Sequence, residues 1–172
     1  MDPDARFAYT RAMSDDEIES ALRDVGHGVL SLADDDESYA IPLYHHYEDG
    51  TIFFRLGETP DNRKADFIEA TGTATYVVFE AEETADPAAE RGWSVIARGP
   101  IQRVPRSHTA YDIESINEQF APIRIFDEAH DEVALTLYEL QADAITGRQN
   151  QPRSPHSRPG SSVASTVNPR AS

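Results

Sequence analysis

The sequence predicts a mainly β protein, an antiparallel barrel of six strands with helices at its periphery. Two observations carry this prediction. Six segments rich in β-branched and aromatic residues are separated by polar turns, and the early segments are joined by hairpin-type turns. Segments with helical spacing are short and lie before or between the strands. A sandwich of two sheets would produce much the same pattern, so the sequence leaves these two β architectures open.

The chain has 172 residues, enough for one domain with a buried core. Residues 1–13 are expected to form a flexible leader and residues 14–148 the folded domain. Residues 149–172 are rich in Ser, Pro and Arg and contain no Asp or Glu, so a disordered tail is predicted there.

Three helices are predicted. The first begins at Ser14, because Ser14 and Glu17 have the spacing of a capping box. The apolar face of this helix consists of Ile18, Leu22 and Val25. The second helix is predicted over residues 62–71 and the third over residues 107–120.

The six strands are predicted over residues 29–32, 39–47, 51–56, 73–81, 93–104 and 134–145. Residues 34–38 form the turn of the first predicted hairpin. Glu48-Asp49-Gly50 forms the turn of the second, because glycine readily adopts the positive φ that a tight hairpin needs. The fifth strand is expected to bend at Gly99-Pro100.

The charge composition is strongly acidic, with 31 acidic and 15 basic side chains and a net charge of −16. An extended nucleic-acid interface is therefore not expected, because phosphate binding requires a basic surface. Lys64 is the only lysine. An acidic surface with almost no lysine suits a protein that stays hydrated at high salt, which predicts a halophilic protein; an ordinary acidic protein is the alternative.

The sequence contains no cysteine, so neither a disulfide nor a thiolate metal site is possible. It shows no signal peptide and no apolar run of membrane-spanning length, so we expect a cytoplasmic protein without a membrane partner. His45 and His46 are neighbours on a strand and face opposite sides, so they cannot bind one metal ion together. No metal site is predicted.

Arg63 and Lys64 are the strongest candidates for ligand binding. They stand at the start of the second predicted helix, where two cations are unfavourable with the helix dipole. A bound phosphate would remove this conflict, since both side chains and the free backbone N–H groups would contact it. A solvated pair that balances Asp61 and Asp66 is the alternative. A phosphate seat beside a flat platform of strands favours flavin mononucleotide (FMN), which is a flat ring on a phosphorylated chain.

Other candidate residues lie on the strands. Arg55 ends an apolar strand and would need either an anion or an exposed position. Pro42 interrupts the hydrogen-bond ladder, which would free backbone groups from Ile41 to Leu43 for the polar edge of a flavin ring, although a plain edge strand would also explain it. Trp93 could lie against a flat ring, but a single Trp is more often a core residue.

The ordered segments GVLSL…YAIPLYHHYEDGTIFFRL…NRK and WSVIARGPIQRV resemble the pyridoxamine 5′-phosphate oxidase-like family of FMN-binding split barrels. The resemblance covers residues 14 to about 147 and is closest to the branch of nitroimidazole-resistance-type proteins and haloarchaeal members. It implies a split barrel, FMN as the cofactor, and a homodimer with the flavin at the subunit interface.

The resemblance also implies roles for individual positions. The strand beside the flavin matches residues 39–44, and the pair that lines the flavin tail matches Phe54-Arg55. The phosphate seat matches Asn62-Arg63-Lys64, and a glutamine that reaches the flavin from the fifth strand aligns with Ser94. In the resistance branch a histidine follows the third strand. This chain has Arg55 there, so the chemistry of that histidine is not expected.

The expected function is that of an FMN-binding flavoprotein, an oxidoreductase of this family that acts on an unidentified small molecule, with no catalytic side chain assigned. A non-catalytic flavin-binding module is an alternative of another class. A third reading keeps the barrel and replaces FMN by a deazaflavin or by haem. Haem would require an axial histidine, for which His27, His45 and His46 are available.

Overall fold

The computed structural model describes residues 10–58, 63–82, 91–105, 112–120 and 134–150. These residues form the helices α1 (Asp15–Asp24), α2 (Arg63–Ala70) and α3 (Ile113–Glu118). They also form the strands β1 (Thr10–Ala12), β2 (His27–Asp34), β3 (Glu37–Glu48), β4 (Thr51–Glu58), β5 (Ala74–Glu82), β6 (Arg91–Gly99), β7 (Ile101–Arg103), β8 (Ala134–Gln141) and β9 (Ala144–Asn150). None of these helices is long and apolar enough to cross a membrane.

The strands form an antiparallel sheet in the order β1-β9-β6-β5-β2-β3-β4-β8-β7. β6 runs into β7 and β8 runs into β9, so each pair acts as one bent strand. Because β6 pairs with β9 and β7 pairs with β8, the two bent strands pair along their length and close the sheet. The result is a barrel with the six predicted strand positions, to which β1 adds a short edge strand. Because the sheet closes in this way, the fold is a barrel and not a sandwich of two sheets.

The bends have a steric cause. A Cβ atom on Gly99 would lie 2.0 Å from the carbonyl oxygen of Gln141, so glycine is required where the two bent strands cross. The predicted bend at Gly99-Pro100 is confirmed. The sixth strand predicted over residues 134–145 is present as β8 and β9 with a bend between them, at residues 142–143, where the backbone N–H of Asp143 donates to the Arg98 carbonyl at 2.8 Å.

The predicted capping box of α1 and the predicted turn of the second hairpin are both present. The Ser14 hydroxyl accepts from the Glu17 backbone N–H, and the Glu17 carboxylate accepts from the Ser14 N–H at 2.8 Å. Asp49 and Gly50 have φ values of 47° and 82°, as a type I′ hairpin turn requires. The first hairpin is tighter than predicted, because Glu37 already pairs with Asp34.

The ends of the described domain differ slightly from the predicted boundaries. β1 lies inside the predicted leader and pairs with β9, and β9 extends to Asn150, into the predicted tail. Residues 1–9 and 151–172 lie outside the described residues, as does the start of the third predicted helix at residues 107–111. Within the described part, that helix is α3.

Two apolar clusters hold the domain together. The main core fills the barrel and includes Leu30, Phe54 and Tyr76, each with no exposed surface. The smaller cluster packs α3 against the outer face of β4 and β8, and its members are Phe53, Val104, Ile116, Phe120 and Leu137. β4 is therefore covered on both faces. The outer face of β2, β5 and β6 has no such cover within the described residues.

Candidate functional site

Arg63 begins α2 and is held by an aromatic pair. Its guanidinium lies over the rings of Tyr39 and Phe67, 5.4 and 5.3 Å from their centroids, and forms an ion pair with Glu37. The two rings pack 5.0 Å apart, one from β3 and the other from α2 itself. Both members of the ion pair are more than half exposed, so the pair adds little stability and its carboxylate can be replaced by another anion.

Lys64 follows in the first turn of α2. Its side chain is partly buried and has no ion pair or hydrogen bond among the described residues. The first backbone N–H groups of a helix have no acceptor within the helix. Two cations therefore lie beside N–H donors that have no acceptor within the helix, while Asn62 lies outside the described residues.

β3 has a long open edge. Its residues 37–44 pair with β2, whereas only residues 45–48 pair with β4. In the described part of the chain, no strand covers the edge of residues 37–44 that faces away from β2. Pro42 lies on this stretch opposite Val29 and is exposed, whereas Ile41 is buried in the core and Leu43 packs against it. Among the described residues, residues 41–43 therefore pair with a strand on the β2 side alone, and the contact of their backbone groups with a flavin stays a prediction.

The outer face of the sheet next to this edge is apolar. One row of directly paired residues crosses β3, β2, β5, β6 and β9. It consists of Pro42, Val29, Val77, Ile96 and Thr146, in that order. Tyr44 and Phe79 are 69% and 59% exposed, which is unusual for large apolar side chains in a chain with a net charge of −16. An exposed apolar surface of this kind is typical of an interaction site.

The predicted residues of β6 and β4 occupy different environments. Ser94 lies opposite Phe79, on the apolar outer face. Trp93 faces the other side of β6, packs against the main core and lines a groove with α1. One ligand on one face of β6 cannot contact both side chains. Phe54 is fully buried in the core and pairs with His45 on β3 and with Tyr138 on β8.

A cavity of about 910 Å³ lies between α3 and strands β4, β7 and β8. Sites for small molecules typically have roughly 300–1,000 Å³. Its apolar wall consists of Val104, Pro105, Ile113, Leu135 and Leu137. Its polar lining consists of Arg55, Arg103, Glu114, Asn117 and Thr136.

Arg55 projects into this cavity from the face of β4 that also carries Phe53. One guanidinium nitrogen, Nη1, donates to the Asn117 carbonyl at 3.1 Å, and the guanidinium lies 5.2 Å from the centroid of Phe120. Burial lowers the pKa of Arg55. These contacts are with Asn117 of α3 and with Phe120 just after it, whereas those of Arg63 are with β3 and α2. That Arg55 and Arg63 bind one phosphate together stays a prediction.

Sequence reasoning missed Arg103, which lines the same cavity from β7. Its Nη2 donates to the hydroxyl of Thr136 at 3.3 Å. Arg103 pairs with Tyr138 and Arg55 pairs with Leu137, so the two arginines flank β8 at successive residues. No pattern along the chain signals this, because the two positions are brought together only by strand order.

His45 is buried and both of its ring nitrogens are engaged. Nε2 lies 2.8 Å from the Leu22 carbonyl oxygen and Nδ1 lies 2.9 Å from the Tyr76 hydroxyl. Burial lowers the pKa of His45 to about 4, so the ring is neutral at pH 7. Within the described residues, no group of three or more His, Asp or Glu side chains is arranged to hold a metal ion.

The closed barrel with an open edge at β3 and peripheral helices defines a split-barrel protein of the flavin-binding type. Residues 14–149 match the family model described as pyridoxamine 5′-phosphate oxidase. The match spans most of the chain, which therefore belongs to that family, as the resemblance predicted. No curated protein matches the chain.

Several solved structures share this fold. A candidate 5-nitroimidazole antibiotic resistance protein from Bacteroides thetaiotaomicron has 15% identity and a TM-score of 0.63, covering 82% of this chain and 87% of that one. An FAD-binding protein from Mesorhizobium loti has 17% identity and a TM-score of 0.60, covering 83% and 97%. An FAD- and haem-binding protein from Mycobacterium smegmatis has 12% identity and a TM-score of 0.62, covering 84% and 76%. At these identities the likeness establishes the fold.

Proposed function

We propose that the protein binds FMN and is an oxidoreductase that acts on a small molecule. The observation that carries this proposal is the pair of cations, Arg63 and Lys64, in the first turn of α2. Membership of the family supports a flavin, as do the similar structures named as FAD-binding proteins. Two cations at one helix start suit a single phosphate group, which favours FMN over FAD.

In this proposal different residues around the open edge of β3 contact different parts of the flavin. Arg63 and Lys64 hold the phosphate, and Tyr39 and Phe67 keep the Arg63 guanidinium in place. Backbone groups at residues 41–43 contact the polar edge of the ring. The flavin supplies the redox chemistry when bound, and the protein orients it and excludes water.

We also propose that two copies of the chain associate through the apolar outer face, with the flavin at the interface. The exposed Tyr44, Phe79 and Ile96 side chains lie on this face. Burial of such a face against an identical one is the usual geometry of a homodimer with two-fold symmetry. The flavin would then lie between the open edge of one protomer and its partner.

The haem alternative finds little support in the described histidines. Both ring nitrogens of His45 already have partners inside the protein. His46 stacks on Phe53 at 6.3 Å and lies 3.7 Å from the Glu48 carboxylate. His27 is exposed next to Tyr44, so it is the remaining described histidine open to a ligand on the outer face.

The experiment that tests the proposal is a cofactor titration. We expect the protein purified at high salt to show the absorption of oxidised flavin, or to bind added FMN and quench its fluorescence. Arg63→Ala and Lys64→Ala should each weaken FMN binding about tenfold or more, because each removes a charged hydrogen bond to phosphate. Arg23→Ala on α1 is the matched control, since it removes one exposed cation that forms an ion pair with Glu19 on the same helix and lies over the Tyr47 ring, away from α2.

Two outcomes would contradict the proposal. A colourless protein that fails to take up FMN would exclude a flavin cofactor. FMN binding that is equal in the Arg23→Ala and Lys64→Ala variants would show that the phosphate lies elsewhere. Oxidation of a reduced nicotinamide by the FMN-loaded protein would then separate an oxidoreductase from a flavin-binding module without turnover.

A further inference from the structure

We infer that Glu37 is an internal competitor of the phosphate at the proposed flavin site. Its carboxylate pairs with the Arg63 guanidinium in the flavin-free protein and gives way when FMN binds. This role rests on the proposed function and concerns the regulation of the same site. FMN binding is then an exchange of one anion for another at Arg63, so Glu37 helps to set the affinity together with the two cations of α2.

The Arg63 guanidinium is held in place by two aromatic rings. Tyr39 is partly buried and Phe67 is 6% exposed, and their rings lie 5.4 and 5.3 Å from the guanidinium. Contacts with rings use the faces of a guanidinium and leave the N–H groups in its plane for an anion. A bidentate contact with a phosphate uses Nη2 together with Nη1 or Nε. Because Nη2 already donates to Glu37, an incoming phosphate competes with Glu37 for this nitrogen.

The carboxylate of Glu37 is kept beside α2 by the hairpin of β2 and β3. Glu37 is the first residue of β3 and pairs with Asp34, the last residue of β2, across a turn in which Asp35 has a φ of 50°. Thr71 follows α2, and its hydroxyl accepts from the backbone N–H of Ala33 on β2 at 3.0 Å. The end of this hairpin and α2 are therefore fastened together. A carboxylate held in this way competes at a high effective concentration.

The ion pair is also weak enough for a phosphate to displace its carboxylate. The side chains of Arg63 and Glu37 are 58% and 60% exposed, and exposed ion pairs contribute little free energy. A phosphate monoester carries a charge of about −1.5 to −2 at pH 7, against −1 for a carboxylate. Among the described residues, Glu37 is in contact with Arg63 and not with Lys64. A bound phosphate would gain both cations, so it is the stronger competitor.

The test compares the affinities of FMN and riboflavin for the flavin-free wild type and for Glu37→Gln, measured by flavin fluorescence. We expect Glu37→Gln to bind FMN about fivefold more tightly, because the ion pair no longer has to be broken. Riboflavin has no phosphate to exchange, so its affinity should not change. Asp36→Asn is the matched control. It removes a neighbouring exposed charge that forms no ion pair with Arg63, and it should leave the FMN affinity unchanged.

The same substitution in two other backgrounds shows whether Glu37 acts through Arg63. In Arg63→Ala protein, Glu37→Gln should no longer change FMN binding, whereas the gain should remain in Lys64→Ala protein. A gain that persists in Arg63→Ala protein, or that is equal for riboflavin, would show a general charge effect and overturn the inference.

Two further outcomes separate this inference from the proposed function. If FMN binds the wild type and Glu37→Gln binds it no more tightly, the exchange of anions is refuted and the flavin site stands. If neither protein binds FMN, the flavin proposal itself is refuted, and the inference with it.

Discussion

The buried imidazole of His45 predicts that the folded protein loses stability as the pH falls below neutral. Nε2 of His45 must donate to the Leu22 carbonyl, so in the neutral ring Nδ1 accepts from the Tyr76 hydroxyl. After protonation Nδ1 would donate instead, and the hydroxyl proton could turn to the Leu43 carbonyl, 3.1 Å away. Hydrogen bonds are thus available to both forms of the ring. The cost of protonation comes from placing a charge in the protein interior.

The size of this effect follows from the pKa of His45. Burial is the main cause that lowers the pKa from 6.5 to about 4, with smaller contributions of the same sign from His27 and His46. Between these values the unfolded chain binds a proton that the folded protein does not, so acidification favours unfolding. Each pKa unit corresponds to about 1.4 kcal/mol, so the free energy of unfolding should fall by about 3 kcal/mol across this window. Below pH 4 this group causes no further loss.

The assay compares urea unfolding of the wild type and of His45→Gln across this pH range at constant high salt. Glutamine can still donate to the Leu22 carbonyl but does not titrate, so the difference between the two proteins isolates the imidazole from the acidic groups that both share. We expect the wild type to lose up to about 3 kcal/mol more than the variant between neutral pH and about pH 4. Parallel stability curves would refute the reasoning, because they would show that His45 is protonated as readily in the folded protein as in the unfolded chain.

Three further predictions concern the surface and the local structure. Phe79→Glu should convert the proposed homodimer to a monomer in light scattering. The control Ser115→Glu, which adds the same charge on the exposed face of α3, should not. A Phe79→Glu dimer would place the interface elsewhere. Ser14→Ala should lower the free energy of unfolding by about 1 kcal/mol in urea, because it removes the capping hydroxyl of α1, and an unchanged value would show that the cap adds nothing. The melting temperature should rise from low salt to molar KCl, because a Debye length of about 3 Å screens the repulsion among the acidic side chains; a flat or falling melting temperature would contradict the halophilic reading.

Features that depend on neighbouring residues were predictable from the sequence. The capping box of α1 requires only Ser14 and Glu17, three positions apart, and the second hairpin requires only a tight turn at Asp49-Gly50. The alternation of strand residues and the turns between them were enough to predict six strands, whereas the choice between a barrel and a sandwich stayed open. The position of Arg63 and Lys64 at a helix start was predictable for the same reason, since a helix start depends on neighbouring residues. Each of these features depends on residues only a few positions apart, so the local sequence determines it.

The tertiary structure decided which distant residues share a surface. His45 and Tyr76 are 31 residues apart and meet because the order of strands places β5 and the β3 side chain around one core. Arg55 and Arg103 flank β8 only because the bend at Gly99 carries β7 across to pair with it. The same bends divide the strands that the sequence shows as continuous. Register and closure are set by the packing of the whole barrel, and no local pattern in the chain contains that information.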